Sequence, residues 1–326
     1  MTTLIPSSQT EALAEAARVA RLAPSVFNTQ PWRWQVGSDA MDLCGDRARQ
    51  LEADPAGRML AISCGAALHH ARVALAASGH RAAVERLPDA DQPDLLARIR
   101  ITGPYEPDLA DLALREAIDR RRTDRRGYAD RQVPDVVVAR LRAAVEEQGA
   151  WLHVVPDEQL PMLAAATARA GELELADPDY RAELIRWTNR PQWSGDGIPP
   201  ATAVRSTPRR VPVREFSLGP EDGTDPGPGD DRGAVYAILY GDRDDTLGWL
   251  RAGEALSAVL LAATAVGLSA APASAPIEVT ATRELVRGLL SGLGHPFLIL
   301  RFGFGAVTGA APAAPRRDPS EVIEEQ

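Results

Sequence analysis

The chain has 326 residues, a formal net charge of −9 and a hydrophobic fraction of 45%. That length holds two modest domains or one large one, and the acidic balance argues against nucleic acid as a partner. Every Lys-or-Arg position is arginine, which excludes a Schiff-base lysine and a Walker-type phosphate lysine.

In chain order, Leu13, Ala16, Ala17 and Ala20 follow the spacing of one helix face, and Ser8 with Glu11 reads as a capping box at its start. The spacing predicts a helix near 11–22, which Pro24 stops because proline has no N–H and clashes with the preceding turn. Residues 23–32, Ala-Pro-Ser-Val-Phe-Asn-Thr-Gln-Pro-Trp, then lead into a strand at 32–36. Such a loop, carrying Ser25, Asn28, Thr29 and Gln30, is either an ordinary helix-to-strand turn or a polar rim for a planar heterocycle.

A second helix runs from Cys64 to Gly79, followed by a loop and an apolar strand from Leu95 to Ile101. A helix near 135–148 precedes a strand from Trp151 to Val155. A helix from Ala252 to Gly267 precedes an apolar strand from Phe297 to Phe302. At one constant offset Gly65 matches Gly253, Ala67 matches Ala255, Leu68 matches Leu256 and Gly79 matches Gly267. The matches and the order of elements favour a duplicated module with a boundary near 104–115, against coincidence among alanine-rich helices. The halves are then 1–110 and 111–326. The second is interrupted at 191–232 by a Pro-, Gly- and charge-rich insertion, whose length suits a lid or a disordered segment. Within it 220–231 reads as disordered, and the tail from Ala310 reads as a surface wrap.

Between the halves lies Arg120-Arg121-Arg122-Thr123-Asp124-Arg125-Arg126, five arginines and a hydroxyl in seven residues. This is either a solvated helix end or a phosphate site, since guanidinium groups bind phosphate bidentately and stay charged. Other signals carry less. The glycines at 303, 305 and 309 have the wrong spacing for a dinucleotide loop. His69 and His70 are adjacent on a helix, so they point about 100° apart and cannot chelate like an i, i+4 pair. Cys64 is either a thiol activated near a helix start or a small buried core residue. Two cysteines imply no disulfide framework, and no metal site is expected. Neither a basic-then-apolar leader nor a run of membrane-span length is visible, so a cytoplasmic protein without a membrane partner is expected.

Ala23, Pro24, Ser25, Asn28, Gln30, Pro31 and Trp32 resemble the A-P-S-x-x-N-x-Q-P-W flavin-ring loop of the nitroreductase superfamily. Arg121, Arg122, Thr123 and Arg125 resemble its R-R-S-x-R phosphate motif, with Thr for Ser. The chain is similar, over most of its length outside 191–232, to the actinobacterial, dormancy-associated Acg-type branch. The shared features include the stretch at 63–70, the segment from Arg186-Trp187 to Ile198-Pro199, the inserted lid and Pro315-Arg316-Arg317.

The resemblance implies an α+β nitroreductase-like fold in which two tandem halves form an intramolecular pseudo-dimer. Ordinary members are homodimers that build each flavin site from both subunits. Here one half keeps the ring loop and the other the arginine motif, which implies one complete FMN site in a monomer. It assigns Pro24, Ser25 and Asn28 to the ring, with Gln30 supporting the loop. It gives the phosphate to Arg121, Arg122, Thr123, Arg125 and Arg316 or Arg317. Pro276-Ile277-Glu278 resembles the P-x-E-G stretch beside the redox edge, with Val279 replacing glycine. The implied activity is hydride transfer from NAD(P)H through FMN to a nitroaromatic or quinone, without a side-chain base. The alternative is an FMN-sequestering protein under a closed lid.

Overall fold

The computed structural model describes residues 8–188, 190–205, 207–214, 216 and 223–325. The first stretch of elements is α1 (Ser8–Ala20), β1 (Trp32–Val36), β2 (Ala40–Gly45), α2 (Arg58–Ala77), β3 (His80–Arg86), β4 (Leu95–Pro104) and α3 (Leu109–Arg120). The second is α4 (Asp135–Glu146), β5 (Trp151–Val154), α5 (Leu160–Ala176), α6 (Pro178–Thr188), β6 (Val235–Gly241), α7 (Thr246–Ala265), β7 (Ser269–Ala273), α8 (Ala275–Glu278), α9 (Thr280–Leu289) and β8 (His295–Gly303). A tail with α10 (Pro319–Val322) and β9 (Ile323–Glu325) ends the described chain. The side chain of Ser8, half of the expected capping box, lies outside the described residues.

The architecture is α+β. One sheet has the order β3-β4-β2-β1-β9 and the other β5-β6-β8-β7. Read from the opposite edge, β7-β8-β6-β5 repeats β3-β4-β2-β1 strand for strand. The exception is β9, which pairs parallel with β1 through Trp34 and Ile323. The tail therefore completes the first sheet and buries Val322, where a surface wrap was expected.

The two long helices α2 and α7 cross between the sheets, and two glycines permit the contact. A Cβ on Gly65 would lie 2.0 Å from the Leu250 carbonyl oxygen, and one on Gly253 would lie 2.0 Å from that of Ile62. Each glycine meets the residue three positions before the other, so the contact is reciprocal. Both helices are apolar nearly all round, as helices buried on every side must be. By length and composition α2 is long enough to cross a membrane, contrary to expectation, but it is largely buried inside this fold.

Several boundaries move for local reasons. Helix α2 begins at Arg58, six residues before the expected Cys64. Gly57 enters it at φ +75°, and the Asp54 carboxylate accepts from the N–H groups of Met59 (2.8 Å) and Leu60 (3.1 Å). That leaves Cys64 mid-helix and buried, with Sγ 3.2 Å from the Pro31 carbonyl and burial pushing its thiol pKa up. The alternating strand β3 and the small-residue strand β7 fill what read as loops after α2 and α7. His69 and His70 do converge: both Nδ1 atoms lie 2.8 Å from the Ser257 hydroxyl on α7. Burial holds both imidazoles below their ordinary pKa.

Of the segment expected to be disordered, 220–222 lies outside the described residues and 223–231 is packed. Gly229 sits on Gly127, where a Cβ would meet the partner backbone at 2.4 Å, and Thr224 N–H donates to the Ala203 carbonyl (2.7 Å). Asp231 is fully buried and paired with Arg301 at 2.6 Å.

Candidate functional site

The loop after α1 is held in a strained conformation. Phe27, Asn28 and Gln30 have φ of +45°, +55° and +50°. Such values cost non-glycine residues of order 1–3 kcal/mol each and persist where the surroundings over-determine them. Those surroundings are visible. The Ser25 hydroxyl accepts from Gln30 N–H (2.9 Å), and Val26 N–H donates to Ser63 on α2 (3.2 Å). Asn28 donates to the Gly197 and Pro315 carbonyls, both at 3.0 Å, and accepts from Arg316 (3.1 Å). Gln30 donates to Gly195 (2.8 Å) and accepts from Arg317 N–H (3.0 Å). The amides of Asn28 and Gln30 are thus committed to tying this loop to the start of the insertion and to the tail. Asp196 strengthens the tie by pairing with both Arg49 and Arg190.

Around the loop lie two connected chambers. One, of about 330 Å³, is the more polar of the two and takes in Asn28, Arg121, Arg122 and Arg316. The other, of about 130 Å³, is largely apolar and is walled by α2 (Met59, Ile62), the end of β7 with the start of α8 (271–275) and the insertion (211–214 and Phe216). Pro24, Ser25, Thr123 and Arg125 line both, so they form the junction.

Local structure explains how the arginines arrive. An Asp108–Asp111 capping box starts α3, and Arg121 ends it as the C-cap with ψ 127°. The chain then leaves in extended form, and the bridge from Thr123 to Ala270 fixes its path. Arg121 is 5% exposed, and its Nε and Nη1 have no hydrogen-bond partner; the Nε of Arg316 is likewise unpartnered. Among the described residues no carboxylate pairs with Arg121, Arg122, Arg125 or Arg316. Asp119, the carboxylate on the chamber wall, is turned to Arg115 (2.8 Å).

Burial and then the Arg122 charge push the Arg121 pKa down to about 10. Burial and then Arg214 push Arg125 down to about 10. Burial, Arg121, Arg122 and Arg21 push Arg316 down to about 9. Buried cations without counter-ions are costly, and unmade N–H groups add to that cost. An anion in the polar chamber would remove both penalties, and an apolar, planar group joined to it would reach the second chamber through the junction.

The remaining expected site residues lie off these walls. Gln30 supports the loop from behind. Arg317 points away from its neighbour Arg316, donating to the Gln30 carbonyl (3.3 Å) and pairing with Glu321 (3.2 Å). Glu278 closes α8 and reaches the apolar chamber only through Arg214, 2.9 Å away. Val279 is the N-cap of α9. The sequence reading missed Arg214 and Phe216, which lie inside the insertion where no periodicity marks them. It also missed Ser274, which lines the apolar chamber and whose signal is its place two residues before Pro276.

Comparison with known proteins bears on this arrangement. A Mycobacterium tuberculosis protein provisionally named an NAD(P)H nitroreductase is 40% identical over 329 residues, covering 99% of this chain and 94% of its own. The Acg protein of the same organism, provisionally named in the same way, is 36% identical over 318 residues, covering 96% of each chain. The chain belongs to the Acg-type nitroreductase family. The α+β fold described above is therefore the nitroreductase-like fold of that family. No family model matches the chain. Among solved structures, the FMN- and NADPH-dependent nitroreductase NfnB from a Sphigopyxis strain is 21% identical, with a TM-score of 0.41, covering 65% of this chain and 98% of its own.

Proposed function

We propose that this Acg-type protein is an NAD(P)H-dependent FMN oxidoreductase whose two halves act as an intramolecular pseudo-dimer around one flavin site. The reading rests on the carboxylate-free arginine chamber opening through Pro24, Ser25, Thr123 and Arg125 into an apolar chamber of different character. The relatives' provisional names point the same way. The swapped β9, the matching strand orders and the reciprocal glycine contact support the pseudo-dimer.

FMN fits the donor set. Arg121, Arg122 and Arg316 would hold its phosphate, Thr123 and Arg125 would bridge phosphate and ring, and Pro24 and Ser25 would edge the ring. FMN would supply two-electron redox chemistry there, with a nicotinamide as donor and a nitroaromatic or quinone as the expected acceptor class. The chain's own part is to bind, orient and exclude water. Ser25 and Ser63 keep the loop rigid, the α2 residues Met59 and Ile62 supply a flat apolar wall, and Arg125 places a fixed positive charge at the junction.

A second reading follows from the insertion, whose residues 211–214 and 216 wall the apolar chamber. The chamber holds about 130 Å³ in this conformation, so access of a nicotinamide to a ring bound there would require this part of the insertion to move. A chain fixed in this state would sequester FMN instead of turning it over. Anaerobic titration of the FMN-loaded protein with NADPH and then NADH separates the readings. Bleaching of the visible flavin bands is expected for the oxidoreductase, persistent bands for the sequestering protein. A chain that takes up no FMN refutes both.

A further inference from the structure

The insertion is anchored in two different ways. Its first part, near 195–198, is tied by Asn28, Gln30 and Arg49 to the ring loop, as described above. Its later part, 211–214 with Phe216, roofs the apolar chamber, and there Arg214 carries the charged contact. The Arg214 guanidinium is 2.7 Å from Glu174 on α5 and 2.9 Å from Glu278 on α8. All three side chains are at most 10% exposed. The guanidinium also lies 5.1 Å from the Phe27 ring and 5.8 Å from the Tyr180 ring. Beside it Phe216 meets Phe27 edge-on at 6.0 Å. Val211 and the Arg209–Asp231 contact at 3.6 Å hold the incoming end.

We propose that Arg214, clamped between Glu174 and Glu278, is a positioning residue that holds the roof formed by 211–214 and Phe216 over the apolar chamber and so sets how often that chamber opens. The inference rests on the FMN reading for its consequence and on the geometry alone for the clamp. Burial raises what each charge gains from its partner and what it loses when that partner goes. Arg214 bridges two elements, so removing it frees the roof from both at once. Removing either carboxylate leaves one tie. Both carboxylates meet the same nitrogen, Nη2, so lysine keeps the charge but replaces the planar guanidinium beside the Phe27 and Tyr180 rings by a compact, more strongly hydrated ammonium.

The test uses the full chain without flavin first. Amide hydrogen exchange over 207–214 is compared among wild type, Arg214→Ala, Arg214→Lys and Glu174→Gln. Exchange there is expected to rise at least tenfold in Arg214→Ala and by less in Arg214→Lys and Glu174→Gln, with α2 and α7 unchanged. The FMN dissociation rate of the loaded protein is expected to rise in the same order. Wild-type exchange over 207–214 in both Arg214→Ala and Glu174→Gln overturns the proposal. So does equal acceleration across α2 and α7, which would mark general destabilisation. If Arg214→Ala does not fold, Glu174→Gln decides alone: unchanged exchange refutes the clamp. If no variant or wild type binds FMN, the exchange result still judges the clamp, and only the FMN reading falls.

Discussion

Replacing Arg121 by methionine separates a residue kept for binding from one kept for folding. The pKa of Arg121 falls from the ordinary 12.5 to about 10 on burial beside Arg122. At about 1.36 kcal/mol per unit, the folded chain gives up about 3 kcal/mol to keep this guanidinium charged. The sign follows from the direction. A base whose folded pKa is depressed destabilises the fold at every pH below that value, so the cost is fully present at pH 7. Methionine keeps most of the packing and removes the charge, although some packing is lost. The expected result is a flavin-free protein more stable by about 1–3 kcal/mol, seen as a Tm higher by a few degrees. Binding moves the other way. Hydrogen bonds to a charged group are worth about 1.5–3 kcal/mol, so FMN affinity should fall roughly 10- to 150-fold. Riboflavin, which has no phosphate, should bind as it does to wild type. Melting curves with and without FMN, and fluorescence titrations with both flavins, provide the numbers. A variant with a lower flavin-free Tm and an unchanged FMN-to-riboflavin affinity ratio would refute the anion-site reasoning.

Other outcomes follow from particular contacts. Burial lifts Asp54 to about 6 from 3.8 despite the N–H groups it accepts from, so the folded chain holds a proton there that the unfolded chain releases. Stability from this group should fall by up to about 3 kcal/mol as pH rises from 4 to 7; urea unfolding of Asp54→Asn at both ends of that window should lack the slope. Gly65→Ala should cost more than about 3 kcal/mol, because its Cβ would meet the Leu250 carbonyl at 2.0 Å. Near-native denaturation midpoints for this variant would disprove the close crossing. Asn28→Gly keeps the positive φ but removes three hydrogen bonds, so the tail around 315–317 should become more susceptible to proteolysis and FMN release should quicken. An unchanged tail would show that Arg317 and β9 hold it without Asn28.

Much of this molecule is legible in local sequence. Pro24 ends α1, the alternation from Trp32 gives β1, and Gly65 and Gly253 mark in advance the two helices that touch. The arginine motif and the ring loop are recognisable because their residues are consecutive. Strands β3 and β7 were missed because one alternates across a half-exposed edge and the other is built of Ala, Pro and Ser, so neither carries an apolar run. Tertiary structure decided what depends on partners far along the chain. Asn28 and Gln30 look available to a ligand in the sequence, yet Gly195, Gly197 and Pro315 claim them. Arg316 and Arg317 are indistinguishable as neighbours, but the parallel pairing of β9 with β1 turns one to the polar chamber and the other to Glu321. Arg214 lies in a stretch without periodicity, and only the meeting of α5, α8 and the insertion gives it two carboxylates. Local propensity acts over a few residues and can be read from them, whereas the partner of a buried charge is chosen by packing across the whole chain.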